Sequence, residues 1–179
     1  MALEPWKKIS SEDKFKNPWW TYRLDKYQLP NGKKGEYHYM HTGGSCFMIP
    51  ITEEGKILLT KQYRYLTDHH SIELPAGGMN QDGTDSPREI ARKELIEEIG
   101  FDGNFEKIAG LHSANGLINE VMHVYIVRNL RESEEYSKDE SEEFEYLSVT
   151  PDEFDSLIAD GSVLDALSIA AWHLAKNKI

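Results

Sequence analysis

The sequence predicts a mixed α/β domain whose strands dominate its first half. Three observations carry this. Asn31-Gly32 joins two runs rich in Tyr, Thr and Lys, the mark of a hairpin. A stretch over residues 86–100 has helix start and stop residues at both ends. Residues 163–175 carry the apolar spacing of an amphipathic helix.

Each element follows from local chemistry. Residues 1–16 are polar and mixed in charge, and read as a loosely attached arm. Strands over 21–29 and 35–42 are polar on both faces, so they form a peripheral antiparallel ribbon, and a division falls between residues 1–43 and 44–179. Runs 45–51 and 56–62 are apolar enough to be buried strands across the turn Thr52-Glu53-Glu54-Gly55. A short strand, 71–74, stops at Pro75, and a loop rich in Gly, Asn and Asp runs from 76 to 85. His69-His70 is placed in the loop before Glu73, facing solvent.

The next helix is the best marked. Ser86 suits the N-cap, Pro87 the first helical position, and Glu89 completes a capping box, while Gly100 sits where a left-handed residue ends a helix. Ala91, Leu95 and Ile99 form its core-facing stripe. Residues 121–127 alternate as a strand, 132–143 form an acidic exposed loop, and 144–149 are another strand. Thr150-Pro151-Asp152-Glu153 is a second capping box opening a helix to about residue 159, and Gly161-Ser162 leads into the last one.

A chain of 179 residues with 39% hydrophobic content makes one domain with a real core, without disulfides or structural metal. The single cysteine, Cys46, excludes an internal disulfide framework and fits a reducing compartment. The longest apolar runs, 46–51 and 166–172, fall far below the roughly 20 residues of a membrane span. The first residues hold no apolar h-region, so no signal peptide is expected, and the reading is cytoplasmic. Net charge is −11, from 31 acidic against 20 basic residues, which disfavours nucleic acid and anionic membranes as partners. It also repels small phosphorylated substrates unless a bound cation inverts the field locally.

Glu94, Glu97 and Glu98 stand at i, i+3 and i+4 on the capped helix, within about one turn. Like charges at that spacing each cost a few tenths of a kcal/mol. A hard divalent cation reverses the sign, because Mg2+ prefers carboxylate oxygens, water and substrate phosphates.

The setting of these glutamates sharpens the reading. Glu73-Leu74-Pro75-Ala76-Gly77-Gly78 ends a strand, a loop follows, and the capped helix closes on Gly100-Phe101. This resembles the Nudix box, with Asp85, Lys93, Glu94, Leu95, Glu97, Glu98, Gly100 and Phe101 in the corresponding places. The gap of seven residues from Asp85 to Lys93 matches. Three departures are visible: seven residues separate Gly77 from Asp85 where the family has five, Asp85 replaces Glu, and Lys93 replaces Arg. Lys93 keeps the positive charge but lacks the bidentate fork of an arginine, so the helix carboxylates are expected to be less firmly oriented.

The resemblance implies a Nudix fold, a mixed sheet sandwiched between helices (α/β/α) with the N-terminal ribbon attached. It implies hydrolysis of a nucleoside diphosphate linked to another moiety, by water attacking phosphorus, with Mg2+ as cofactor and Mn2+ as substitute. Glu94 and Glu98 would be metal ligands, Glu97 a ligand or orienting group, and the backbone carbonyl of Ala76 a further ligand. The general base would come from the acidic loop Asp139-Glu140-Ser141-Glu142-Glu143, with Glu142 the first choice and Glu140 the second.

Outside the box, the chain looks like the ADP-ribose and nucleoside-diphosphate-sugar pyrophosphatase branch. Lys61-Gln62-Tyr63-Arg64 matches a basic-Gln-aromatic-Arg pattern, and there Arg64 would touch the diphosphate or the terminal sugar, with Glu73 beside the substrate. The ribbon in this branch packs across a two-fold axis, which implies a homodimer. Trp19 and Tyr37 fall where aromatics sandwich the base. Asn115 stands where ADP-ribose enzymes carry a proline, a departure that counts against ADP-ribose and raises GDP-mannose and UDP-glucose, although ADP-ribose stays the first expectation. The alternatives are a Nudix hydrolase acting on a dinucleotide or capped RNA, and a non-catalytic nucleotide-sugar-binding module. A module freed from catalysis has no reason to keep three repelling carboxylates. A Lys93→Arg variant is expected at least to match the parent in initial rate; a tenfold slower one would contradict the expected gain in orientation.

Overall fold

The computed structural model describes residues 3–84, 86–135 and 145–179. In chain order the strands are β1 (Lys7–Lys16), β2 (Thr21–Gln28), β3 (Lys34–His41), β4 (Ser45–Pro50), β5 (Ile57–Arg64), β6 (His69–Glu73), β7 (Ala76–Gly78), β8 (Phe101–Leu111), β9 (Met122–Glu132) and β10 (Glu145–Val149). The helices are α1 (Pro87–Ile99), α2 (Pro151–Ala159) and α3 (Ala166–Ala175). Three sheets result, in the orders β1-β2-β3, β10-β5-β6 and β7-β4-β9-β8. In the last, β4 and β9 run parallel and the other pairs antiparallel.

The mixed sheet is the middle layer because its central strands are apolar on both faces. Phe47 and Ile49 of β4, with Met122, Val124 and Ile126 of β9, pack against Phe154 of α2 and Ala171, Trp172 and Ala175 of α3. The alternate residues Cys46, Met48, Tyr125 and Val127 pack against Ala91, Leu95 and Ile99 of α1. A period of two on the strands thus serves two helical layers, which is the expected α/β/α sandwich. The α1 stripe read from the sequence is the buried one, joined by Ile96 and Glu98.

Several boundaries differ from expectation, each for a physical reason. Residues 7–16 are not a loose arm: they form β1, paired along β2 from Lys7 opposite Gln28 to Lys16 opposite Thr21. Register shifts at Lys8/Ser10 and Asp13/Phe15 break its alternation, so the sequence hides a strand that the edge of β2 templates. β8 was unmarked for the same reason, being interrupted by Gly103 and Gly110 and by two register shifts against β9. At Gly103 an added Cβ would meet Val127 Cγ1 at 2.7 Å, so glycine there permits close strand approach. The start of the 76–85 loop is strand β7, and His69 and His70 open β6 rather than lying in a loop. β9 runs on to Glu132. Ser86 has an N-cap backbone, but its hydroxyl makes no cap bond; Pro87 and the Ile90 N–H to Ser86 carbonyl bond set the helix start. At Thr150 the reciprocal capping box is formed as read. α3 begins at Ala166, capped by Asp165, whose Oδ2 accepts from Ser168 N at 2.7 Å.

One buried polar contact positions the segment that leaves β6. Ser168 is fully buried, and its Oγ accepts the Leu74 N–H at 2.9 Å. The carbonyl of the next residue, Pro75, accepts from Met48 N at 2.9 Å. The strand-to-turn segment is therefore held from α3 and from β4. No helix among the described residues is long and apolar enough to cross a membrane. Ser168→Ala leaves the Leu74 amide without this acceptor and is expected to cost about 1–3 kcal/mol, measured by urea unfolding with an unchanged m-value.

Candidate active site

The turn Leu74–Gly77 carries no reactive side chain, yet the charged groups collect around it. α1 packs across β7, and Glu98 Oε2 accepts the Ala76 N–H at 3.1 Å while the residue is only 8% exposed. One helical turn earlier, Glu94 lies over Gly77 so closely that an added Cβ there would overlap its Cγ and Cδ. Glycine at 77 is thus required by the approach of a carboxylate stem to the backbone. Glu94 and Glu98, at i and i+4, share the face that meets β7.

Glu97 does not share it. Its side chain is 46% exposed and pairs with Lys93 Nζ at 3.2 Å, an i, i+4 ion pair on the outer surface. The helical rotation of about 100° per residue separates it from Glu98. Among the described residues, no three His, Cys, Asp or Glu side chains converge as a ready-made metal cage. The donors gathered at the turn are instead two carboxylates and the adjacent backbone, a hard-oxygen set of the kind that Mg2+ or Mn2+ accepts.

A cation is paired with the acidic residue that leads into the turn. Arg64, at the end of β5, donates from Nε to Glu73 Oε1 at 2.8 Å and from Nη2 to Glu73 Oε2. Glu73 is buried, whereas the Arg64 side chain is 48% exposed. Burial pushes the Glu73 carboxyl up, but the Arg64 fork and the Ser71 hydroxyl outweigh it and hold the group below the usual range. The same hydrogen bond raises Arg64 against its own desolvation. Both residues line a cleft of about 800 Å³, with Phe47 and Ser71 at its base and Tyr65, Leu66 and Leu164 at its rim.

The ribbon packs against the segment between β8 and β9. Met40 N–H reaches the Leu117 carbonyl at 2.9 Å, Asn119 N–H reaches the Met40 carbonyl at 3.1 Å, and Tyr37 Oη donates to the Gly116 carbonyl at 3.2 Å. Tyr37, Tyr39, Asn115, Leu117, Ile118 and Asn119 surround a pocket of about 250 Å³. Trp19 stands 76% exposed in the turn between β1 and β2. Among the described residues no ring contact joins Trp19 to Tyr37. The candidate bases Glu142 and Glu140, and Asp85 of the box, lie outside the described residues.

Sequence reasoning missed Ser168, which holds the Leu74 amide, and Gln81 of the loop after β7, which bonds to Thr21 and to the carbonyls of Asn17 and Pro18. Ser168 falls in the spacing 168, 171, 172, 175 of the buried face of α3, so a polar residue among core positions was its available signal. Gln81 carried no local signal.

Comparison with known proteins agrees with this geometry. Residues 42–168 match the NUDIX domain, and residues 6–40 match the nucleoside diphosphate sugar hydrolase N-terminal domain. The chain therefore belongs to the NUDIX domain family. It is 30% identical to the ADP-ribose pyrophosphatase of Bacillus subtilis (strain 168), over 96% of this chain and 93% of that protein. It is 29% identical to the methanol dehydrogenase activator of Bacillus methanolicus, covering 92% and 89% of the two chains. It is also 29% identical to a GDP-mannose pyrophosphatase of Salmonella arizonae, over 90% and 88%. A crystal structure of an ADP compounds hydrolase superposes with a TM-score of 0.82 over 99% of this chain and 95% of its own, at 19% identity, a likeness of fold.

The Arg64–Glu73 pair generates a pH prediction. A carboxyl depressed in the folded state stabilises above its unfolded pKa of about 4.3 and loses that contribution as pH falls through the folded value. Glu73→Gln should therefore be less stable than the parent near pH 7, and the gap should shrink below about pH 4. Urea midpoints measured across that range check it.

Proposed function

We propose that the chain hydrolyses the diphosphate linkage of a nucleoside diphosphate sugar, with ADP-ribose as the first substrate, to a nucleoside monophosphate and a sugar phosphate. The observation that carries this reading is the turn at Ala76–Gly77, met by Glu94 and Glu98 of α1 and preceded in the chain by Glu73, which holds Arg64. A matching N-terminal domain described as that of nucleoside diphosphate sugar hydrolases, and relatives named for ADP-ribose and GDP-mannose, support the substrate class.

Water adds to one phosphorus, the bridging P–O bond breaks, and the departing phosphate leaves with the bonding electrons. A divalent metal, Mg2+ or in its place Mn2+, would supply charge neutralisation and a more acidic water. Glu94, Glu98 and the Ala76 carbonyl are the groups of this chain that would hold it. Glu97, drawn outward by Lys93, is better suited to orient than to ligate. Arg64 meets the diphosphate or the terminal sugar as a cation already aimed by Glu73. With both its oxygens on Arg64, Glu73 acts through that residue. Glu142, with Glu140 second, accepts the proton of the attacking water. Trp19 and Tyr37 stack on the base, at about 1–3 kcal/mol per stack. The ribbon, residues 1–43, pairs two protomers into a homodimer, and residues 44–179 form the hydrolase body. The single cysteine suits a reducing, cytoplasmic setting.

The test is a panel of ADP-ribose, ADP-glucose, GDP-mannose, UDP-glucose and NADH, with and without Mg2+, read by product chromatography. Cleavage of a nucleotide sugar only with metal is expected. Glu98→Gln should slow turnover by at least about 10²-fold, and Glu142→Gln by about 10²–10⁴-fold. A flat panel with tight binding of one member would instead mark a non-catalytic binding module.

A further inference from the structure

The loop between β7 and α1 does more than connect them. It follows Gly77, which lies against Glu94, and then turns back on itself: Asp82 Oδ1 accepts from both Thr84 N (3.1 Å) and Thr84 Oγ1 (2.8 Å). Gly83, at φ +70°, occupies the left-handed region that this turn requires.

The loop docks on the ribbon at two places. Met79 N–H donates to the Gly44 carbonyl at 2.9 Å, and the Asn80 carbonyl lies so close to Gly43 that an added Cβ would overlap it. Gly43 and Gly44 are where the ribbon leaves for β4. The second place is the turn between β1 and β2, and a single side chain makes the connection. Gln81 Oε1 accepts from Thr21 Oγ1 at 2.6 Å, and its Nε2 donates to the Asn17 and Pro18 carbonyls at 3.0 and 3.1 Å. Thr21 is 1% exposed, so its hydroxyl is taken out of water in making this bond. Asn17 in turn accepts the amides of Trp19 and Trp20 on its Oδ1, at 2.9 and 2.8 Å. A continuous path of hydrogen bonds thus runs from the loop to the backbone of Trp19.

We propose that Gln81 is a positioning residue that registers the Trp19 turn against the Ala76–Gly78 turn, so that the end of the site that stacks the base and the end that cleaves the diphosphate are held at a fixed separation. One amide suits the task because it presents an acceptor to Thr21 and two donors to neighbouring carbonyls at once. The proposal rests on the reading that Trp19 stacks on the base.

The experiment is a double-mutant cycle on Gln81→Ala and Trp19→Ala in the full chain. It is read as KM and kcat for ADP-ribose with Mg2+, and as Kd by calorimetry without metal. Gln81→Ala is expected to raise KM and Kd about tenfold while kcat stays within about threefold. The double variant should be no weaker than the weaker single one, because both changes remove the same stack. Gln81→Glu keeps the acceptor for Thr21 but lacks the donors, and should behave like Gln81→Ala. Thr21→Ser keeps the hydroxyl and should behave like the parent. If Trp19→Ala raises KM and Kd but Gln81→Ala and Gln81→Glu do not, the positioning role is overturned alone. Additive losses in the double variant overturn it too. If Trp19→Ala changes neither constant, the stacking reading is overturned and the positioning role with it.

Discussion

Everything at the site depends on a helix carboxylate that is buried against a backbone amide. Glu98 reaches Ala76 N–H across the α1–β7 interface, and this contact sets the distance between the helix and the turn. Burying a carboxylate costs several kcal/mol unless donors or a cation compensate. The fold meets that cost where a diphosphate-directed site can use it. The apolar stripe of Ala91, Leu95 and Ile99 presses α1 onto the sheet and leaves Glu94 and Glu98 no other direction.

The turn itself is over-determined. Ser168 of α3 takes its first amide, Met48 of β4 reaches the Pro75 carbonyl, and Glu98 of α1 takes the Ala76 amide. Three elements from distant parts of the chain therefore fix one short piece of backbone, and such rigidity is what a reaction that depends on positioning needs. Arg64 gains the same kind of definition from Glu73. Its planar fork is held by both carboxylate oxygens, so a long, entropically costly side chain is already ordered before anything binds. A local positive group also matters in a chain of net charge −11 that handles phosphates.

Much of this was legible in the primary sequence, and the reasons are local. The helix over 86–100 was readable because Pro87, the 91-95-99 stripe and Gly100 act within a few residues of one another. The hairpin at Asn31-Gly32 and the capping box at Thr150 were readable for the same reason. β1 and β8 were not. Their residues lack clean alternation, and each is a strand because a neighbouring edge supplies its hydrogen bonds.

The amino-acid order alone determined which glutamates exist on α1, their spacing, the glycine-bearing turn before them and the family these features define. Helical rotation was already implicit there, but the partners were not. Only the packed structure decided that Glu94 and Glu98 meet the turn while Glu97 joins Lys93 outside, and that Gln81 ties the loop to residues 17, 18 and 21. Side-chain spacing is a property of a few consecutive bonds, whereas which surface a side chain meets depends on contacts made across the whole fold.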